Sequence, residues 1–269
     1  FPFTNDSCCT NSCIVRISIL MNNFKNRQIE ISVIIPTLNE GKLLAETLTQ
    51  FSREIQEKFA LEIIISDGGS TDDTLAIGKK HGVIVIEKES DKKENISIGR
   101  NNGAKKAKGE YFIFLNADTR LPKPERFFER VFETFADNQI IAATSFVYIN
   151  PEDSTIADKI IHRILNYYFY MLNFLGVGMG RGECHIVRKD IFTLMGGYDE
   201  RIAAGEDFEF FSRLRQRGKI RFLPSQIIYE SPRRYRKYGY MKIMFLWFIN
   251  ALSVLFAKKS ISQEWEAVR

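Results

Sequence analysis

Residues 31–40 read ISVIIPTLNE and residues 61–74 read LEIIISDGGSTDDT. Each opens with a short, almost continuous apolar run rich in β-branched residues and then stops at a polar turn. A half-buried strand alternates apolar and polar positions, whereas a run apolar throughout is a strand covered on both faces, as in a parallel sheet between helices. VIVIE (83–87), YFIFLN (111–116) and IIAATSFVYI (140–149) repeat the signal. Between them, residues 41–58 carry Leu43, Leu44, Thr47, Leu48, Phe51 and Ile55 at helical spacing, residues 95–107 read as a polar helix, and 124–136 as a helix opened by Pro124. Ser70 or Thr71 is placed to cap a further helix whose first turn carries Asp72 and Asp73. Strands alternating with helices at this pitch predict an α/β fold with a Rossmann-like, mainly parallel central sheet flanked by helices.

The second half changes character. Residues 156–175 predict an aromatic-rich helix, followed by a Gly-rich link (Gly176, Gly178, Gly180, Gly182), a short strand ECHIVR (183–188) and a helix over 206–217 that stops at Gly218. No Pro- or Ser-rich linker intervenes. One continuous domain is therefore expected over 31–232, with a basic and apolar helical segment over 233–269. Residues 1–30 are set apart as an extension: no periodicity appears before Met21, and the apolar stretch Ile14–Met21, interrupted by Arg16, makes a poor signal peptide.

With 269 residues, 45% hydrophobic and 26% charged, the chain can bury a substantial core and is neither disordered nor fibrous. A net charge of +5 suits an anionic membrane, a phosphorylated substrate or nucleic acid equally and chooses none of them; no motif calls for nucleic acid. Three of the four cysteines (Cys8, Cys9, Cys13) crowd the first thirteen residues, so neither a disulfide framework nor a zinc site is indicated. A reducing, cytoplasmic compartment is the expectation.

In an open parallel sheet, ligands bind outside the carboxyl ends of the strands. Those ends read Pro36-Thr37-Leu38-Asn39-Glu40, Asp67-Gly68-Gly69-Ser70-Thr71-Asp72 and Asn116-Ala117-Asp118. Singly, each is ordinary turn or cap chemistry. Three acceptor-bearing turns converging on one rim make a binding site the better explanation.

The segments VIIPTLNE (33–40), SDGGSTDDT (66–74), GRNNGAKKAKGEYFIFLNADT (99–119), GGYDE (196–200) and GEDFEFFSRLRQRGK (205–219), in this order, resemble the family 2 glycosyltransferases of GT-A fold. The resemblance runs from about Ile31 to about Pro232. It implies an inverting transferase that uses a nucleoside-diphosphate sugar. Pro36, Thr37 and Glu40 then fall at the nucleoside, Asp67 and Gly69 at the base edge, and Arg100 in the segment that closes over the nucleotide. Asn116, Ala117 and Asp118 occupy the place of an Asp-x-Asp metal motif, with Asp118 its one charged ligand. That set suits Mg²⁺ or Mn²⁺ taking further oxygens from the substrate diphosphate. Glu206 and Asp207 match the acceptor-side acidic pair, Asp207 as general base and Glu206 orienting the acceptor, although two acids at a helix N-terminus also complement its dipole. Gly182, Glu183 and His185 match the acceptor-facing segment; a lone histidine is more often structural, and Cys184 reads as a small core residue. The Gln-x-x-Arg-Trp motif of processive members is absent. Arg233-Arg234-Tyr235-Arg236 stands there instead, where it could clamp a diphosphate or an anionic acceptor, which favours transfer of a single sugar over polymer synthesis.

Residues 243–257 (IMFLWFINALSVLFA) form an apolar stretch between basic flanks, short of the roughly 20 residues a spanning helix needs. Peripheral membrane contact through 240–259, at the inner face of the cell membrane, and packing on the domain or in a homodimer are both open. The acceptor expected is a hydroxyl of a glycan or lipid-linked molecule. The alternatives are a polyprenyl-phosphate sugar synthase and a non-catalytic sugar-nucleotide-binding protein.

Overall fold

The computed structural model describes residues 28–89, 93–257 and 260; the expectations for residues 1–27 and 261–269 lie outside that range. Among the described residues, seven strands form one sheet: β1 (Ile31–Thr37), β2 (Leu61–Asp67), β3 (Ile84–Ile86), β4 (Tyr111–Leu115), β5 (Ile140–Ile149), β6 (Cys184–Arg188) and β7 (Lys219–Glu230), in the order β3-β2-β1-β4-β6-β5-β7. β3, β2, β1 and β4 are mutually parallel, as the apolar runs imply. β6 enters antiparallel to both β4 and β5, and β7 runs parallel to β5. The sheet is therefore mixed. Because only β6 is reversed, the carboxyl ends of β1, β2, β4, β5 and β7 share one edge with the start of β6.

The helices are α1 (Gly41–Thr49), α2 (Arg53–Phe59), α3 (Thr74–Lys80), α4 (Ile96–Lys106), α5 (Pro124–Phe135), α6 (Ile156–Phe174), α7 (Lys189–Leu194), α8 (Glu206–Arg215), α9 (Arg233–Tyr238) and α10 (Tyr240–Ala257). Leu44, Leu48, Phe59, Phe127 and Phe128 bring α1, α2 and α5 onto one face of the sheet, against Val33, Ile35 and Ile113. Ala104, Phe192, Phe210, Phe211 and Leu214 bring α4, α7 and α8 onto the other, against Ile34, Ile64, Phe112 and Phe114. α4 lies especially close: a Cβ on Gly103 would stand 2.3 Å from the Ile34 side chain.

Two expectations are corrected. The helix expected over 41–58 is two helices, because Ser52 takes an extended conformation and its side chain accepts from the Ile55 N–H, starting α2 afresh. Neither Ser70 nor Thr71 caps α3. Its N-cap is Asp73, and Ser70 is engaged with Asp67 and Asn39 instead. β7 is an addition that the apolar pattern does not announce: Pro224 cannot donate to a ladder, and the register slips from Ser145↔Leu223 to Phe146↔Ile227 around it.

Candidate active site

At the shared edge, the loops after β1 and β2 are stitched together. The Asn39 N–H donates to Ser70 Oγ (2.7 Å), the Thr71 N–H to Asn39 Oδ1 (2.6 Å), the Glu40 N–H to Thr74 Oγ1 (2.9 Å) and the Gly41 N–H to Asp72 Oδ2 (3.1 Å). Asn39 holds φ 54°, the left-handed region that Asn tolerates better than most residues. Asp67 sits beneath this seam and is 2% exposed. It accepts from Thr37 Oγ1 (3.0 Å), Ser70 Oγ (2.5 Å) and the backbone N–H groups of Gly69 (2.9 Å) and Ser70 (2.7 Å). Four donors thus occupy its two oxygens. In this arrangement Asp67 organises the loop and has little capacity left for a base edge, and Thr37, 5% exposed, is likewise turned inward.

The Asn116-Ala117-Asp118 turn after β4 is fixed from α1. Thr47 Oγ1 donates to the Ala117 carbonyl (2.6 Å), Gln50 Nε2 to the Thr119 carbonyl (2.9 Å), and Gln50 Oε1 accepts from the Leu121 N–H (2.6 Å). Thr47 and Gln50 carry no signal in the sequence beyond their helical position. β7 reaches the same turn, since Arg120 and Tyr229 exchange backbone hydrogen bonds at 2.9 and 2.8 Å. The chain leaving β7 then lays Arg233 across the rim. Its terminal nitrogens lie 2.8 Å from both oxygens of Glu40, and Nη2 lies 3.3 Å from Asp118 Oδ2. Burial raises the Asp118 carboxyl pKa, Arg233 opposes it, and Glu183 adds to it.

Among the described residues no group of three or more His, Cys, Asp or Glu is arranged to hold a metal ion. However, Asn116 Oδ1 is buried without a hydrogen-bond partner, in the same turn as the Asp118 carboxylate. One orphaned neutral oxygen and one carboxylate fit a hard divalent cation that completes its shell from a diphosphate and water.

The acidic pair is hung from α4. Asn101 Nδ2 donates to the Tyr198 carbonyl (2.9 Å) and to Glu200 Oε1 (3.0 Å), and Asn101 Oδ1 accepts from the Tyr198 N–H (3.0 Å). Asn95 Nδ2 reaches the Glu200 carbonyl (2.8 Å), and Ser97 Oγ the Ile202 carbonyl (2.9 Å). These bonds hold the segment 198–202 against α4. The chain then turns at Gly205, whose φ of 85° a side chain rarely adopts, directly into Glu206 and Asp207. Arg100, 1% exposed, donates from Nη1 to Glu206 Oε1 (2.8 Å) and from Nη2 to the Gly182 carbonyl (2.7 Å), with its guanidinium over the Tyr198 ring at 5.1 Å. Arg100 therefore lies under the acidic pair and not on the nucleotide rim. Asp207 stays half-buried and, among the described residues, accepts a hydrogen bond from the N–H of its neighbour Phe208 (2.8 Å). Burial and the adjacent Glu206 push its carboxyl pKa up to about 7, against the pull of Arg100.

Residues 32–194 match the family described as Glycosyl transferase family 2. The chain belongs to that family. This chain is 37% identical over 95 residues to a poly(ribitol-phosphate) β-N-acetylglucosaminyltransferase of Staphylococcus aureus, a match covering 34% of the chain and 29% of the relative. It is 26% identical over 187 residues to a PGL/p-HBAD biosynthesis glycosyltransferase of Mycobacterium bovis, covering 66% and 67%. The first two curated relatives it matches are thus spanned over less than a third of their length. Among solved structures, a mannosyltransferase of Pyrobaculum calidifontis in complex with GDP-Man and Mn²⁺ superposes with TM-score 0.64 at 17% identity, over 92% of this chain and 71% of that one. Glucosyl-3-phosphoglycerate synthase of Mycobacterium tuberculosis, with Mn²⁺, UDP and phosphoglyceric acid, gives 0.59 at 16%, over 88% and 80%. At such identity these two speak for the fold.

Behind Asp118 the chain buries an ion cluster that its sequence does not announce. Arg181 Nε donates to Glu183 Oε2 (3.2 Å), Arg181 Nη2 lies 3.5 Å from Glu230 Oε1, and the Tyr235 hydroxyl donates to the same Glu230 oxygen (3.0 Å). Burial and Glu183 drive the Glu230 carboxyl pKa well above the usual carboxylate range, against the pull of Arg181. His185 and Cys184 are core residues. His185 is fully buried, its Nδ1 2.7 Å from the Tyr198 hydroxyl and its ring on Phe211, and burial holds it neutral. Burial pushes the Cys184 thiol up to about 12, which makes it inert.

Proposed function

We propose that this chain transfers a single sugar from a UDP- or GDP-linked donor to a hydroxyl of a glycan or lipid-linked acceptor, with inversion and with Mg²⁺ or Mn²⁺ as cofactor. One observation carries the reading: Asn116 and Asp118, an orphaned oxygen and a carboxylate, follow β4, Asp207 with its carboxyl pKa raised to about 7 lies in the first turn of α8, and Glu183 raises the pKa of both carboxyls. Pro36, Thr37, Glu40, Asp67, Gly69, Asn116 and Ala117 wall the donor side. Arg233 can exchange its carboxylate partners for the diphosphate, a charge-assisted contact of the same kind. Arg100 serves the acceptor side, by fixing Glu206.

Asp207 takes the proton of the acceptor hydroxyl as that oxygen attacks the anomeric carbon. The bond from that carbon to the diphosphate breaks on the opposite face, and the nucleoside diphosphate leaves with the electron pair. Asn116 and Asp118 would hold a divalent cation, which when bound would supply Lewis-acid stabilisation of the leaving charge. A pKa near 7 favours a hydroxyl acceptor, because a phosphate oxygen is already ionised and needs no base. The lipid-linked form of the acceptor would place the chain in the cytoplasm at the inner membrane face, with 240–259 in peripheral contact.

The test is incubation with Mn²⁺, a panel of UDP- and GDP-sugars, and hydroxyl or polyprenyl-phosphate acceptors. Slow nucleotide release that Asp118→Ala abolishes, and transfer that Asp207→Asn abolishes, are expected. Transfer to polyprenyl phosphate that survives Asp207→Asn would identify a polyprenyl-phosphate sugar synthase instead. Donor binding with no turnover on any acceptor would identify a binding protein.

A further inference from the structure

α6 is an amphipathic helix with its apolar side partly outward. Ile156, Ile160, Ile164, Tyr167, Met171 and Phe174 recur at intervals of three and four, so they form one stripe, and all are exposed, Ile156 to 77% and Phe174 to 82%. Arg163, Ile164, Tyr167, Tyr168 and Met171 line a shallow groove along it. α10 bears a second stripe of Met241, Phe245, Phe248 and Leu252, all exposed. Contiguous apolar patches of this extent mark an interaction surface.

The two helices are tied together at one junction. At the start of α6, Asp158 accepts from Arg236 Nη1 (2.9 Å) and from the Tyr240 hydroxyl (2.5 Å). Tyr235 and Tyr240 stack at 4.5 Å, and the His162 ring packs edge-on against both.

The charges choose the occupant. α6 exposes Lys159 and Arg163 beside its stripe, and its single acid, Asp158, is buried in the junction. α10 exposes Lys242 and contains no acid at all. A second copy of the chain docked through α6 would meet those cations with a helix that exposes no carboxylate of its own, the exposed Glu152 and Asp153 lying before its first turn. An anionic bilayer meets them with headgroup phosphates, while the apolar stripe enters the acyl boundary and tyrosines sit at the interface. No helix among the described residues is long and apolar enough to cross a membrane, so the contact lies along the surface.

We infer that α6, together with α10, docks this protein on an anionic lipid surface, with α6 as the larger element. Membrane contact, suggested by the sequence for 240–259, thereby extends to a helix that leads, through residues 175–183, into the acceptor side of the rim.

The experiment is co-sedimentation of the full chain with vesicles of equal parts phosphatidylglycerol and phosphatidylcholine, and with phosphatidylcholine alone. The wild type should bind the anionic vesicles about tenfold better or more and release at high salt. Ile164→Glu/Tyr168→Glu should lose that binding about tenfold or more. Lys159→Glu/Arg163→Glu should weaken it about fivefold or more per cation, and both variants should keep the wild-type melting temperature, their sites being exposed. Absence of binding, binding unchanged in both α6 variants, or binding lost only in Phe245→Glu/Phe248→Glu would overturn the assignment. So would a wild-type dimer that Ile164→Glu makes monomeric while vesicles stay unbound. Vesicle binding needs neither donor nor acceptor, so its failure leaves the transferase proposal standing, and the reverse.

Discussion

Arg233 lies 3.3 Å from the Asp118 carboxylate while both its terminal nitrogens reach Glu40 at 2.8 Å, so one guanidinium neutralises two acids of the donor rim. A cation binding at Asp118 must compete with it. Arg233→Ala should therefore bind Mn²⁺ more tightly than the wild type without nucleotide, yet bind donor about tenfold or more weakly, for loss of a charge-assisted contact. Titration calorimetry reads both, and unchanged Mn²⁺ affinity would exclude the competition.

Asn116 leaves its oxygen unpartnered in the same turn. Asn116→Asp supplies a second charged ligand, and affinity of such oxygen sites follows ligand charge. Nucleotide-free Mn²⁺ affinity should rise, about tenfold or more on that basis. Electron paramagnetic resonance of free Mn²⁺ measures it; equal affinities would place the ion elsewhere.

Arg100 and Glu206 form a buried pair at 2.8 Å, with side chains 1% and 10% exposed. Removing one partner of such a pair strands the other's charge and costs about 3–5 kcal/mol. Arg100→Met should lose that much in urea unfolding, and Arg100→Met/Glu206→Leu should recover most of it. A double variant no better than the single would show that the loss comes from packing against Tyr198.

Asp207 has its pKa raised from 3.8 to about 7 by burial and by Glu206. Between those values the folded chain keeps a proton that the unfolded chain releases, so this group makes stability fall as pH rises from about 4 to about 7 and stay level above. Asp207→Asn should thus melt higher than the wild type at pH 8 and nearly alike at pH 4, with about 2–4 °C for each kcal/mol recovered. The wild-type transfer rate should rise with pH and level off near 7. A rate flat from pH 5 to 9 would remove Asp207 from the role of base.

What could be read in advance follows from the range of the forces involved. β1, β2 and β4 are legible because burial on both faces writes itself into consecutive residues such as Val33, Ile34 and Ile35. The rim is legible because strand ends are local. α4 is legible as a helix but not as a buried one: Arg100, Asn101 and Ser97 are polar, and their partners lie about a hundred residues away. Asp67 deceives differently: three of its four donors come from Gly69 and Ser70, ordinary turn chemistry for an Asp at a strand end, and only Thr37 lies farther off in the sequence. β7 is masked by Pro224 and its slipped register, and with β7 goes any expectation of Glu230 behind Asp118.

The fastening of segment 198–202 to α4 has a consequence for redirecting the proposed transfer to another acceptor. A direct route to a new acceptor preference would be to transplant the loop that leads into Asp207, the proposed base in the first turn of α8. Here that loop has no independent footing: Asn95, Ser97, Arg100 and Asn101 set its path from a helix that also packs on the strands of the donor half. The smallest portable module is therefore discontinuous, α4 with residues 196–207, and a graft that leaves the host's α4 behind would carry the acid without its aim.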